Sequence, residues 1–148
     1  MELALLVLLA LVVGGLMPTQ AGINALLRTH VLSPYTAALI SFFVGTVALF
    51  IWCLLVRVPV PGMRVFGETP WWQWFGGTMG AVIVAGSIIL APKLGATSML
   101  ALMVAGQMFA SLYLDHFGML GFPVHEMSLP RIFGCLLVIG GVVLIQRF

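Results

Sequence analysis

Five apolar stretches, each close to the length needed to cross a hydrocarbon layer, constrain this chain more than any other feature. A helix rising about 1.5 Å per residue needs about 20 mainly apolar residues to span a bilayer. The windows 3–27, 35–56, 71–90, 96–114 and 130–147 supply them, the last being most apolar from Ile132 to Ile145 and using its flanks to reach full length. None shows the period-2 alternation of a transmembrane strand. Between the windows lie residues with turn chemistry: Arg28-Thr29-His30 followed by Ser33-Pro34, the segment Arg57 to Pro70, Pro92-Lys93-Leu94-Gly95, and Asp115 to Pro130. The expected fold is therefore all-α, an integral membrane bundle of about five transmembrane helices forming one transmembrane domain over residues 1–148. The first window is read as a retained helix rather than a signal peptide, because Glu2 stands where a basic flank belongs and the apolar run exceeds a signal's usual length.

Composition excludes several alternatives. With 62% hydrophobic and 7% charged residues, the chain cannot dress the surface of a water-exposed globule. Its six basic residues are scattered, so no patch exists to neutralise phosphates and no nucleic-acid partner is expected. Cys53 and Cys135 sit inside apolar runs as small hydrophobes. His30, His116 and His125 occupy loops or helix ends without metal-ligand spacing. No Ser/His/Asp, Cys/His or paired-carboxylate arrangement and no nucleotide motif is visible. No catalytic residue, metal or cofactor is expected, and the chain is not expected to be an enzyme.

An odd number of spans puts the termini on opposite faces, and Lys and Arg near the span ends should select the cytoplasmic one. Arg57, Arg64 and Arg131 fall on the N-terminal face; Arg28, Lys93 and Arg147 fall on the other. Three against three is the balance expected of a protein inserted in both orientations, whose opposed copies could associate as an antiparallel homodimer; the plainer reading is a weak bias resolved by the N-terminal amine or by Glu and Asp. Trp52, Trp71, Trp72 and Trp74 all lie near the N-terminal face. An inverted partner supplies the missing aromatic belt, although one aromatic hairpin turn also accounts for the cluster.

No Asp, Glu, Lys or Arg occupies the middle of a span, which disfavours a buried-carboxylate proton exchanger. Neutral polar residues recur instead at helical spacing. In the first span Gln20 and Asn24 lead to Arg28 on one face, and in the fourth Gln107 and Ser111 lead to Asp115. Pro18 cannot donate to the carbonyl of Gly14 and predicts a kink beside Gln20, as a cavity wall or as plain structure. An amide in hydrocarbon needs a partner, so these residues line a substrate cavity or bond to neighbouring helices. Arg28 and Asp115 end on opposite faces of one copy and on the same face of an antiparallel pair. They are expected to form an intersubunit ion pair that gates the cavity; the plainer reading makes both interfacial anchors. Gly76 and Gly80 carry the GxxxG spacing of close helix packing.

Taken together, Pro18-Thr19-Gln20-Ala21-Gly22-Ile23-Asn24, Ser41-Phe42-Phe43-Val44-Gly45-Thr46, Pro70-Trp71-Trp72 with Gly76-Gly77, Ala91-Pro92-Lys93-Leu94-Gly95, Ala105-Gly106-Gln107, Asp115-His116-Phe117-Gly118 and Arg131 to Gly134 resemble the YdcZ-type inner-membrane exporters. That family lies in the drug/metabolite transporter superfamily, where five-helix units occur singly, as paired genes or fused as inverted repeats. The resemblance implies a bacterial inner-membrane, multi-pass exporter of small molecules, often a dual-topology dimer. The chain departs from the small multidrug exporters of that superfamily, whose coupling carboxylate sits in the first helix; here the acidic residue of that region is Glu2, at the membrane edge. The function expected is secondary transport of a polar or aromatic, uncharged or weakly charged small molecule by alternating access between two copies embedded in lipid. The competing expectation is a non-transporting membrane scaffold or accessory subunit.

Overall fold

The computed structural model describes residues 2–147, with side chains from Leu3 to Arg147. The ends of the 1–148 domain and the Glu2 carboxylate fall outside the described residues. Helix α1 runs Glu2–Val31, α2 Pro34–Val56, α3 Arg64–Glu68, α4 Gly76–Leu94, α5 Ala96–Phe117 and α6 Leu129–Arg147, with 3-10 segments at Trp71–Phe75 and Met119–Gly121. There is no strand among the described residues. Among the described residues, five helical stretches are long and apolar enough to cross a membrane: Leu3–Val31, Pro34–Val56, Trp71–Leu94, Ala96–Phe117 and Leu129–Arg147.

Three helix ends extend beyond the sequence reading. Arg28-Thr29-His30 belongs to α1 rather than to a loop. Its side chains explain why: the Thr29 hydroxyl donates to the Leu26 carbonyl at 2.7 Å and His30 Nδ1 lies 3.2 Å from the same oxygen. These polar groups saturate the last turn instead of breaking it. Pro92-Lys93-Leu94 completes α4, and Asp115-His116-Phe117 completes α5. Pro18 likewise lies within α1, which continues helical through it. Thr19 donates to the Gly15 carbonyl at 3.0 Å on the turn that the proline weakens.

The boundaries have local causes. Leu32, at φ 59°, ends α1 by turning left-handed, and its N–H bonds the Arg28 carbonyl at 2.8 Å. Ser33 then caps α2 by accepting from the Thr36 N–H at 3.3 Å, with Pro34 in the first turn. Arg57 closes α2, again left-handed. Gly118, at φ 58°, closes α5 with its N–H on the carbonyl of Asp115.

The chain divides into two compact units, one reaching Lys93 and one beginning at Leu94. In the first, α1 packs along α2. A small core of Ala37, Ala38 and Ile88 gathers Leu27 and Val31 of α1 and Val84 and Ala85 of α4 around it. Gly80 lies against Phe42, where an added Cβ would sit 3.4 Å from the ring, whereas nothing lies within 4 Å of such an atom at Gly76 or Gly14. The turn before α4 is aromatic, with Phe66 stacked on Trp74 at 5.5 Å and Trp71 edge-on to Phe75. In the second unit α5 packs along α6. Residues Leu3 to Leu16 are exposed without a break, a surface suited to lipid or to other helices and not to water.

Candidate functional site

The polar stripe of α1 is split by its surroundings. Gln20 is exposed, and Asn24, one turn later, is 96% buried at 4% exposure. Both line a groove of about 600 Å³ in the first unit, formed by α1 and α2. Its remaining polar residues are Thr19 and Ser41; its walls are apolar, including Leu16, Ile23, Ile40 and Val44. Among the described residues, no Asp, Glu, Lys, Arg or His lines it. The Asn24 Nδ2 is sealed from solvent and has no hydrogen-bond partner among the described residues. Such a group costs about 1–3 kcal/mol relative to a satisfied one, and the groove is lined by a residue whose amide nitrogen has no acceptor among the described residues.

Arg28 follows on the same face, half-buried, and its guanidinium donates to the Ile88 carbonyl at 3.4 Å. Ile88 is fully buried, and its carbonyl is the one that Pro92, four residues on, cannot bond. The arginine therefore satisfies an oxygen that the proline leaves free. The signal was present in the sequence as Pro92 four residues after Ile88, but its partner on another helix was not.

The α5 stripe divides differently. Gln107 and Ser111 are exposed. Ser111 lines a cleft of about 320 Å³ in the second unit with Met108, Asp115, Arg131 and Cys135, whereas Gln107 lines neither this cleft nor the groove. Asp115 pairs with Arg131 at 3.0 Å, and the same guanidinium donates to the His125 carbonyl at 3.1 Å. The segment between them is stitched back onto the end of α5: the His125 N–H donates to the Asp115 carbonyl at 2.9 Å and the Met127 N–H to His116 Nδ1 at 3.2 Å. Thus Asp115 and Arg28, expected to meet across copies, each have a partner within their own chain. Arg131 joins the site as the partner of Asp115, and the span count puts both on the same face. Among the described residues, no three His, Cys, Asp or Glu side chains converge as a metal site would require.

Among the described residues, five bilayer-length apolar helices define a multi-pass membrane protein, and its first unit carries a groove whose polar lining is uncharged. Residues 5–144 match the family described as "Putative inner membrane exporter, YdcZ". The chain is also 34% identical over 115 residues to the inner membrane protein YdcZ of Escherichia coli (strain K12), covering 75% of this chain and 74% of that one. It belongs to that YdcZ family. The protein is accordingly an inner-membrane, multi-pass protein. No solved structure matches it.

Proposed function

We propose that the chain is one half of a secondary transporter that exports a small molecule by alternating access, assembled from two copies inserted in opposite orientations. The observation that carries this reading is the buried, unpartnered Asn24 amide in a groove of about 600 Å³, a volume within the range of small-molecule sites. A purely structural membrane helix would be expected to satisfy such an amide against its neighbour.

The second copy answers a separate need. Gln107 and Ser111 are exposed on a helix of membrane-spanning length, and an amide facing lipid costs several kcal/mol. Their register suits an antiparallel copy. The midpoint of the first span is residue 17 and that of Ala96–Phe117 lies between residues 106 and 107. At about 1.5 Å per residue, Gln20 and Asn24 stand roughly 4 and 10 Å past their midpoint, and Gln107 and Ser111 roughly 1 and 7 Å past theirs. Because the first and fourth spans run in opposite directions, inverting one copy brings these displacements to the same side. The two stripes then match in depth to within about 4 Å.

The same inversion places Arg28 of one copy and the Asp115–Arg131 pair of the other at one face. Exchange of Arg131 for the partner's Arg28 on Asp115 serves as the gate, opening and closing without an intramembrane charge. The test compares solutes released by cells carrying the wild type, Asn24→Leu or no gene, with equal membrane expression verified. At least one small molecule is expected to accumulate in the medium with the wild type alone. Indistinguishable media would favour a non-transporting subunit.

A further inference from the structure

We infer that the α1–α2 groove binds an uncharged amphiphile that presents a hydrogen-bond acceptor, such as a ketone, amide or ester oxygen, to the Asn24 amide; this rests on the exporter reading above and names its substrate class. Three features of the groove specify that chemistry. The sealed, unbonded atom at Asn24 is its amide nitrogen, a donor that an acceptor satisfies. Among the described residues the lining holds no ionisable side chain, so a cation or anion entering it would lose hydration with nothing of opposite sign in return. Most of the wall is apolar, with the Thr19 and Ser41 hydroxyls and the exposed Gln20 amide as the remaining polar groups. The solute therefore carries an apolar body and one or two polar atoms at one end.

The same geometry says how binding is coupled to motion. Asn24 lines the groove while its Nδ2 is closed to solvent, so the donor meets a ligand only when the amide rotates or α1 and α2 part locally. Ser41 and Ile40, on the α2 side of the groove, are the residues that this parting displaces. Binding thus draws a masked donor into the groove, and release lets it withdraw. An acceptor gains the hydrogen bond and relieves the penalty of the unpaired amide together, whereas an apolar molecule of equal size gains neither.

Fluorine NMR of the full-length protein in lipid nanodiscs tests this with four probes of similar size: 4-fluoroacetophenone, 4-fluoroethylbenzene, 4-fluorobenzoate and 4-fluorobenzylammonium. The ketone is expected to bind about tenfold tighter than the hydrocarbon, the difference that one buried hydrogen bond of ordinary worth makes, and both ions are expected to bind more weakly still. In Asn24→Leu the ketone should fall to the level of the hydrocarbon while the hydrocarbon is unchanged. Equal binding of ketone and hydrocarbon by the wild type would overturn the inference and assign the groove to lipid chains or to a helix of the second copy. Preferential binding of either ion would overturn it as well. The wild-type comparison stands even if the variant fails to fold. Solute release lost with Asn24→Leu, but without this preference among probes, would refute the substrate class and leave the exporter reading intact.

Discussion

Replacing Arg131 by alanine removes one guanidinium from two contacts, the 3.0 Å ion pair with Asp115 and the 3.1 Å hydrogen bond to the His125 carbonyl. The magnitude follows from burial. The two side chains retain 38% and 25% exposure, between a fully solvated pair, worth about 0.2–1 kcal/mol, and a buried one, whose disruption costs about 3–5 kcal/mol. A coupling of about 1–2 kcal/mol is expected for Asp115 with Arg131. Equilibrium unfolding of purified protein in mixed detergent micelles, run on the wild type, Asp115→Asn, Arg131→Ala and the double variant, measures it as a cycle. The cycle of Asp115→Asn with Arg28→Ala should give a coupling near zero in the resting protein, since Arg28 is engaged at the Ile88 carbonyl. Additive costs for Asp115 and Arg131, or a larger coupling of Asp115 to Arg28, would refute the intrachain pairing and return Asp115 to a purely intersubunit role.

Other perturbations read separate parts of the structure. Arg28→Ala leaves the Ile88 carbonyl without its donor and should cost about 1 kcal/mol; in a Pro92→Ala background, where the backbone regains its own N–H, that cost should shrink in the same unfolding assay. Gly118→Ala meets a left-handed backbone and a Val124 Cγ2 only 2.6 Å from the new Cβ, so it should destabilise by about 1–3 kcal/mol and expose the Phe122 to Ser128 segment to proteolysis. Leu32→Gly should raise the unfolding temperature, because Leu32 holds a positive φ at 87% exposure and glycine relieves about 1 kcal/mol there. An unchanged or lowered temperature would show that Leu32 contributes contacts outweighing its strain.

The five spans were legible because hydrocarbon thickness fixes a length and composition that no other environment demands. Helix ends were less so. Arg28 to His30 reads as a loop by residue type, yet Thr29 and His30 fold back on the Leu26 carbonyl and extend the helix. Of the candidate site, the 3.6-residue period placed Gln20 and Asn24 on one face, and the groove does contain both. The period carried no information on depth of burial, so it did not distinguish the sealed Asn24 from the exposed Gln20. Ser41 stands in a sequence motif, but its place in the groove was not legible, because it lies on another helix and only packing brings it there. Partner choice was the least legible feature. Arg131 and the Ile88 carbonyl lie 16 and 60 residues from the groups they satisfy, and one chain's sequence holds no distance between them.

The central claim, that one chain is half of a transporter completed by an inverted copy, is tested most directly by disulfide trapping between two differently tagged copies in native membranes. One copy carries Gln20→Cys and the other Gln107→Cys, both in a Cys53→Ser, Cys135→Ser background. The account predicts a mixed-tag adduct under mild oxidation, with reporters on the termini finding each orientation populated. Absence of the adduct despite full expression of both copies, or a single orientation throughout the membrane, would contradict it.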